Sequence, residues 1–501
     1  MAKSVNTKNT NQLVELTEDK WRPALSGWPM IFAWAAMIIF ALHASTHMVG
    51  AGDTWVAMAC GRHFINHGVD TVEPFSANSH DAGPTEREID NWPGPARWIA
   101  KKVGLKTVKY WHPTGWINQN WLTHVLFYWL SHESPFADAE ERSFNTLVYW
   151  KFALYIVTVI CVYYIGRLLG VNGALSAVFA CFALFAGRSF FDIRPAGFSN
   201  LMVAVFFLIL ALAVYRNILY IWLLVPTVVL WCNLHGGYIY AFMMLATFFS
   251  LHLLIILSKR WTVFVHCIFM WMALYGLAYR FLSHRPFTPI PLGDDKVLIL
   301  LVLLMAASLI IVAAKKVKNQ VIYSYHILAS VIVFLALLPR FFPEEPVRYT
   351  QELKEYILSS RLSFIIGFFA LMALGVVVTF FKDRLICIRL KGLCHTAGAG
   401  FAAFIATIVF NPFHLTNLTH TFVISVSRHA EQWRTVNEWH PGFEWNNPVG
   451  TGFPFLVLVI MSIGVPVFWL VSRSFRPKLL KGSKTRLEQQ QRRFRTLSKI
   501  F

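Results

Sequence analysis

An acid, Asp53, stands just past the first long apolar run, in the stretch MVGAGDTWVAMACGRHFINHG at 48–68. A carboxylate at the mouth of a membrane helix can accept a proton from a hydroxyl nucleophile or hold a divalent metal ion. It can also simply mark a helix end. GRSFFDIRPAGFSN, 187–200, packs Arg188, Asp192 and Arg194 into one short connection. Two guanidiniums there can grip a phosphate or pyrophosphate through paired N–H groups. The other reading is pairing with Asp192 or with lipid phosphate. VLWCNLHGGYIYAF, 229–242, interrupts an apolar hairpin with Asn233, His235 and two glycines. Polar groups at that depth usually line a cavity, and a capped turn with a hydrogen-bonded histidine is the alternative. NPFHLTNLTHTFVISVSRHAEQWRTVNEWHPGFEWNNP, 411–448, holds Arg428, Glu438 and Trp439. Aromatic faces beside carboxylates and amides are how sugar sites are lined, although Trp is also an ordinary interfacial anchor.

These residues must be positioned by membrane helices. The 501-residue chain is 56% hydrophobic and only 14% charged, against about 25% charged in ordinary soluble domains. Apolar runs fall at 28–48, 147–168, 173–187, 197–215, 218–233, 237–257, 262–281, 296–314, 320–339, 361–381, 394–411 and 451–472. Most are long enough to cross a hydrocarbon core about 30 Å thick. The expected fold is an all-α polytopic membrane protein with about twelve transmembrane helices. A closed barrel is excluded because its strands would alternate in and out. The seven cysteines are scattered with no CxxC pair, so they read as small core residues.

The segment WINQNWLTHVLFYWL, 116–130, is short and polar on one side, which suits an interfacial helix. With it lying flat, every second connection is short and basic: Arg167, Arg216, Lys259–Arg260, Lys315–Lys318 and Lys382–Lys391. By the positive-inside rule these face the cytoplasm, together with both termini. The N-terminal segment 1–27 and the basic tail 473–501 then flank a membrane domain at 28–472. A large first outer loop at 49–146 and a last outer loop at 412–450 share the opposite face. That face collects Asp53, Arg188, Asp192, Arg194, Asn233, His235, Arg428, Glu438 and Trp439. The net charge of +19 is accounted for by this arrangement and by lipid headgroups, not by nucleic acid.

P-loop, GxGxxG, HExxH and Ser-His-Asp signatures are absent. There are no filter repeats of a channel and no paired broken helices of a transporter. Polarity gathered on one side of the membrane favours chemistry at one face.

The ordered motifs GDTWVAMACGR, VEPFS, GWINQNWL, RPAGFS, NLHGG, NPFHLT and NEWHPGF run over about 400 residues. In that order they resemble the bacterial GT-C superfamily of membrane glycosyltransferases, which use polyprenyl-phosphate-linked sugars. The resemblance implies Asp53 as catalytic base or metal-linked acid. It implies Arg194 and the Asn233/His235 turn as part of the donor cavity, and Glu438–Trp439 as part of an outer lid. Arg188, Arg194 and Arg428 would hold the leaving phosphate. The cofactor question is open between none and a divalent metal ion.

Three departures stand out. Asn120 occupies a position where the family often has an acid, Glu73 makes EPFS of the family's DPFS, and an insertion at 80–113 interrupts the first outer loop. The insertion is rich in Pro, Gly and charge, shows no apolar stripe in sequence, and reads as facing an acceptor or a protein partner. The implied function is sugar transfer at the outer face of the bacterial inner membrane. The alternative is a non-catalytic scaffold, or a subunit of a membrane complex, derived from the same fold.

Overall fold

The computed structural model describes residues 28–46, 52–69, 75, 83–92, 94–113, 117–135, 145–169, 171, 173–187, 192–256, 388 and 390–426, and positions 303, 306, 310, 453, 456, 457 and 460. These are mostly helical, with no strand among them. In chain order the α-helices are α1 (Trp28–Thr46), α2 (Gly52–His67), α3 (Glu86–Asp90), α4 (Gly94–Val103), α5 (Leu105–Trp111), α6 (Trp121–Tyr128), α7 (Asn145–Leu168), α8 (Gly173–Gly187), α9 (Ala196–Tyr215), α10 (Leu224–Leu234), α11 (Ile239–Ile256), α12 (Leu390–Val409) and α13 (His414–Val426). A π turn, Trp129–Glu133, continues α6. Short 3-10 turns precede α10 (Ile218–Leu223) and α11 (Gly236–Tyr238).

Among the described residues, α7, α9 and α12 are long and apolar enough to cross a membrane. Shorter apolar stretches cover Met30–Thr46, Gly173–Gly187, Ile218–Leu234 and Gly236–Ser250. The expected runs at 262–281, 320–339 and 361–381 lie outside the described residues, as do 1–27 and 473–501. Of 296–314 and 451–472, only scattered helical positions are described.

One core joins the helices. Trp231, Tyr155, Tyr163, Tyr238, Phe127, Phe206 and Met37 are its largest fully buried side chains. Small residues let helices approach: Ala41, Ala177 and Ala180 are buried between α1, α7 and α8, as is usual where lipid supplies no hydrophobic drive between helices. Cys60, Cys161 and Cys232 are buried and in no disulfide, which agrees with a packing role, whereas Cys394 is exposed.

The bundle has two distinct ends. At one end the start of α1, the end of α7 and the start of α8 converge, with Gly173 against Met30 and Tyr163. There too Trp222 Nε1 donates to His395 Nδ1 at 3.2 Å. At the other end lie α2, α6, the start of α9, the turn between α10 and α11, and the start of α13. Cysteines introduced at exposed Glu133 and Lys391 therefore sit at opposite ends. Impermeant maleimide should label one from outside intact cells and the other only after permeabilisation. Labelling of both from the same side would refute this arrangement.

The insertion is more ordered than its composition suggests. Thr85 and Glu88 form a reciprocal capping box at α3: Thr85 N donates to Glu88 Oε2 at 2.8 Å, and Glu88 N to Thr85 Oγ1 at 3.3 Å. Ile89, Ala100 and Val108 form a small core of their own, with Trp92 and Leu105 packed against it. The chain reverses at Gly104, whose φ of 87° lies in the region open to glycine. Four of the five apolar residues come from three helices and Trp92 from the connection after α3, so no single run carries this core. The expectation of no apolar stripe fails on α4, where Pro95, Ile99 and Val103 recur at every fourth residue.

Candidate functional site

Asp53 sits in the first turn of α2. Its neighbour Thr54 is fully buried, and its hydroxyl donates to the Ile193 carbonyl at 2.6 Å. That bond docks α2 onto the turn before α9. The turn is closed by Arg194 N on Asp192 O and Gly197 N on Arg194 O, both 3.0 Å. Pro195 leads into α9, where a missing N–H costs nothing.

This docking brings Asp53, Asp192 and Arg194 together. Arg194 Nη2 lies 3.6 Å from Asp53 Oδ2 and 3.6 Å from Asp192 Oδ2. The Arg194 side chain is only 14% exposed, whereas Asp53 is 61% exposed. Both separations exceed hydrogen-bond length, so these are ion pairs that an incoming anion could exchange with. Lys151 of α7 is fully buried and interacts electrostatically with Asp192. Two acids and the Arg194 guanidinium thus meet in one cluster. Asp192 serves the internal pairing that the sequence left as one of two readings.

Among the described residues, Asp53 and Asp192 do not by themselves make up a divalent-metal site. A guanidinium already occupies the space between the two carboxylates. Among the described residues, no group of three His, Cys, Asp or Glu gathers as a metal site. Asn120 is turned to the turn between α10 and α11, where its Oδ1 accepts from Gly236 N at 3.3 Å.

Beside this cluster lies a dense polar junction. Gly237 N donates to His235 Nδ1 at 3.0 Å, so that nitrogen carries no proton. The Ser199 hydroxyl, 2.7 Å away, therefore donates to it as well. Trp231 Nε1 in turn donates to Ser199 Oγ at 2.8 Å. His235 thus caps its turn, as one of the two sequence readings had it. Asn233 Oδ1 accepts from Trp121 Nε1 at 3.0 Å and from Asn411 Nδ2 at 3.3 Å. Its Nδ2 donates to Val229 O at 2.8 Å and Phe410 O at 3.2 Å. Asn233 ties α6, α10 and the end of α12 together.

α6 completes the junction. Thr123 Oγ1 donates to Leu234 O at 2.6 Å, and Gln119 Nε2 donates to Asn417 O and Oδ1 at 2.8 Å each. A Cβ at Gly236 would come within 2.6 Å of Gln119 Oε1, and one at Gly61 would strike the His124 carbonyl. Glycine is required at Gly61, which faces backbone, whereas a side chain at Gly236 would displace the Gln119 amide. Asn118 Nδ2 donates to His124 Nδ1 at 3.1 Å.

Desolvation pushes His235 down to about 4. Burial, then the charge of His235, takes His124 down to about 3, and burial takes His420 down to about 4. All three stay neutral in the folded protein, while the unfolded chain takes up protons below about pH 6.5. Stability is therefore full above that pH and is lost as pH falls toward the folded values. Each histidine contributes up to about 1.4 kcal/mol per pH unit in that window. Thermal unfolding in detergent should fall steeply between about pH 6.5 and about pH 4.5, and less steeply in His235→Gln. A flat profile would refute the burial of these rings.

Arg188, Arg428, Glu438 and Trp439 lie outside the described residues. The structure brings Asp53, Asp192 and Arg194 into one cluster and places Asn233 and His235 in the adjoining junction. Thr54, Lys151, Ser199 and Gln119 were missed in the sequence. Each had a signal: Thr54, Ser199 and Gln119 lie inside the motifs GDTWVAMACGR, RPAGFS and GWINQNWL, and Lys151 is a single charge inside the apolar run at 147–168. None of the family profiles, curated proteins or solved structures compared with the chain matches it.

Proposed function

We propose that this chain is a GT-C-like glycosyltransferase of the bacterial inner membrane, with about twelve spans and both termini in the cytoplasm. It moves a sugar from a polyprenyl-phosphate carrier to an acceptor hydroxyl at the outer face. The observation that carries this reading is the exposed Asp53 paired to the largely buried Arg194 at one end of the helical bundle. The acceptor oxygen attacks the anomeric carbon and its proton passes to Asp53. The bond from that carbon to the phosphate oxygen breaks, and the leaving phosphate keeps the electron pair. Arg194 exchanges a carboxylate contact for that phosphate, which is charge stabilisation where charge develops.

An apolar cleft of about 530 Å³ between α1 and α8, lined by Phe32, Phe40, Val178, Phe182 and Phe185 among others, suits a hydrocarbon tail. It supports lateral entry of a lipid donor. The scaffold reading has its own support: Asn120, Asn233 and His235 are all engaged in internal hydrogen bonds. The deciding experiment reconstitutes the protein in liposomes with radiolabelled polyprenyl-phosphate sugars and membrane acceptors, alongside glycan profiling of a deletion strain. Transfer, and loss of one envelope glycan in the deletion, is the expected result. Unchanged glycans and no transfer would favour the scaffold.

A further inference from the structure

The insertion carries a surface that neither its own core nor α13 uses. On α4, Pro95, Ile99 and Val103 recur at every fourth residue and so line one stripe. Ile99 is 54% exposed and Val103 48%. Trp98, 63% exposed, stands at the rim, with Lys102 Nζ 5.0 Å from its ring centre. Ala100 is the buried residue of this helix. α4 is thus amphipathic, with much of its apolar side uncovered.

Charge and position say what covers it. From Gly94 to Pro113 the chain has Arg97, Lys101, Lys102, Lys106 and Lys109 and no Asp or Glu, although Asp90 of α3 pairs with Lys101 at 2.6 Å and its carbonyl accepts from Arg97 Nη1 at 2.9 Å. A basic helix with an exposed apolar stripe and a Trp at its rim is built for the headgroup region of an anionic bilayer. Long lysine stems let the ammonium reach phosphate while the methylenes stay in the apolar layer. The segment is also held at membrane level. The Thr416 hydroxyl donates to the Pro113 carbonyl and lies 3.0 Å from His112 Nδ1. The His414 ring packs on Tyr110 and Trp111 at 4.8 and 4.5 Å. α13 begins just past the end of α12, a helix of membrane-spanning length.

We infer that α4 lies in the membrane interface, with Trp98, Ile99 and Val103 in the headgroup–acyl boundary and Lys102, Lys106 and Lys109 on anionic phospholipid. The test uses the full chain in nanodiscs of phosphatidylcholine alone or mixed with phosphatidylglycerol. An environment-sensitive fluorophore is placed on Ile99→Cys or Lys101→Cys, with the protein lacking either cysteine as blank. The expected result with phosphatidylglycerol is a blue shift at position 99, quenching there by shallow nitroxide lipid, and iodide quenching several-fold weaker than at position 101. Equal iodide quenching at both positions in both lipids would overturn the inference and leave the stripe to a protein partner. Equal insertion in both lipids would overturn the anionic preference. Hydroxyl-radical footprinting of the unmutated protein gives a second readout. Trp98 should be oxidised several-fold less in the anionic nanodiscs, and equal oxidation counts against the inference.

Discussion

Asp53→Asn is expected to leave the protein folded while lowering sugar transfer by about a hundred- to ten-thousand-fold, the range for losing a general base. The fold should survive because α2 docks through the buried Thr54 hydroxyl on Ile193 O, not through Asp53. The amide keeps the size and polarity of the carboxylate but cannot take the acceptor proton. Asp53 is also 61% exposed, so its ion pair contributes little to stability in solvent. Arg194→Ala separates the two roles. It should chiefly raise KM for the lipid donor, because the guanidinium is assigned to phosphate. The measurement is initial-rate transfer with purified donor at several concentrations, with thermal unfolding recorded for each variant. Full activity in Asp53→Asn would remove this residue from the mechanism and strengthen the scaffold reading.

Asn233→Ala should act on stability instead. The amide is held at both ends, by Trp121 and Asn411 on its oxygen and by Val229 and Phe410 on its nitrogen. Truncation strands the Trp121 N–H and takes a donor from the Phe410 carbonyl. Asn411 keeps its second bond, to Cys232 O at 3.1 Å. Each buried group left unsatisfied costs about 1–3 kcal/mol, so the expected loss is roughly 2–5 kcal/mol. A large drop in unfolding temperature should accompany unchanged donor KM in the fraction that remains folded. Unchanged stability with weakened donor binding would return Asn233 to the donor cavity that the family resemblance implies. Asn233→Asp is a sharper variant, since it keeps the acceptor and loses both N–H donors.

The two predictions differ because the motif residues differ in how they are engaged. GDTW and RPAGFS both mark the Asp53–Arg194 cluster, and the structure brings them within 3.6 Å. NLHGG looked like cavity lining, yet its Asn and His are engaged in internal bonds. A polar residue inside an apolar run signals only that a partner is needed. Whether the partner is substrate or backbone depends on what packs opposite, and Trp121, Ser199, Phe410 and Asn411 come from distant parts of the chain. The 80–113 insertion shows the same limit. Its core residues come from three short helices and the connection after α3, and they meet only after the chain turns at Gly104.

The sequence by itself determined the helical class, the boundaries of α1 and α7 to α12 to within a few residues, and the candidate acids and arginines. Helix length against bilayer thickness and the cost of unbonded backbone in lipid leave few other outcomes for such runs. Only the tertiary structure decided the partners. It paired Arg194 with both Asp53 and Asp192, and joined Asn233 and His235 into the hydrogen-bonded junction with α6. It also left the Ile99–Val103 stripe of α4 uncovered. The physical reason is range. Hydrophobic periodicity is a property of neighbours in the chain, whereas hydrogen bonds and ion pairs act over a few ångströms between residues that folding alone brings together.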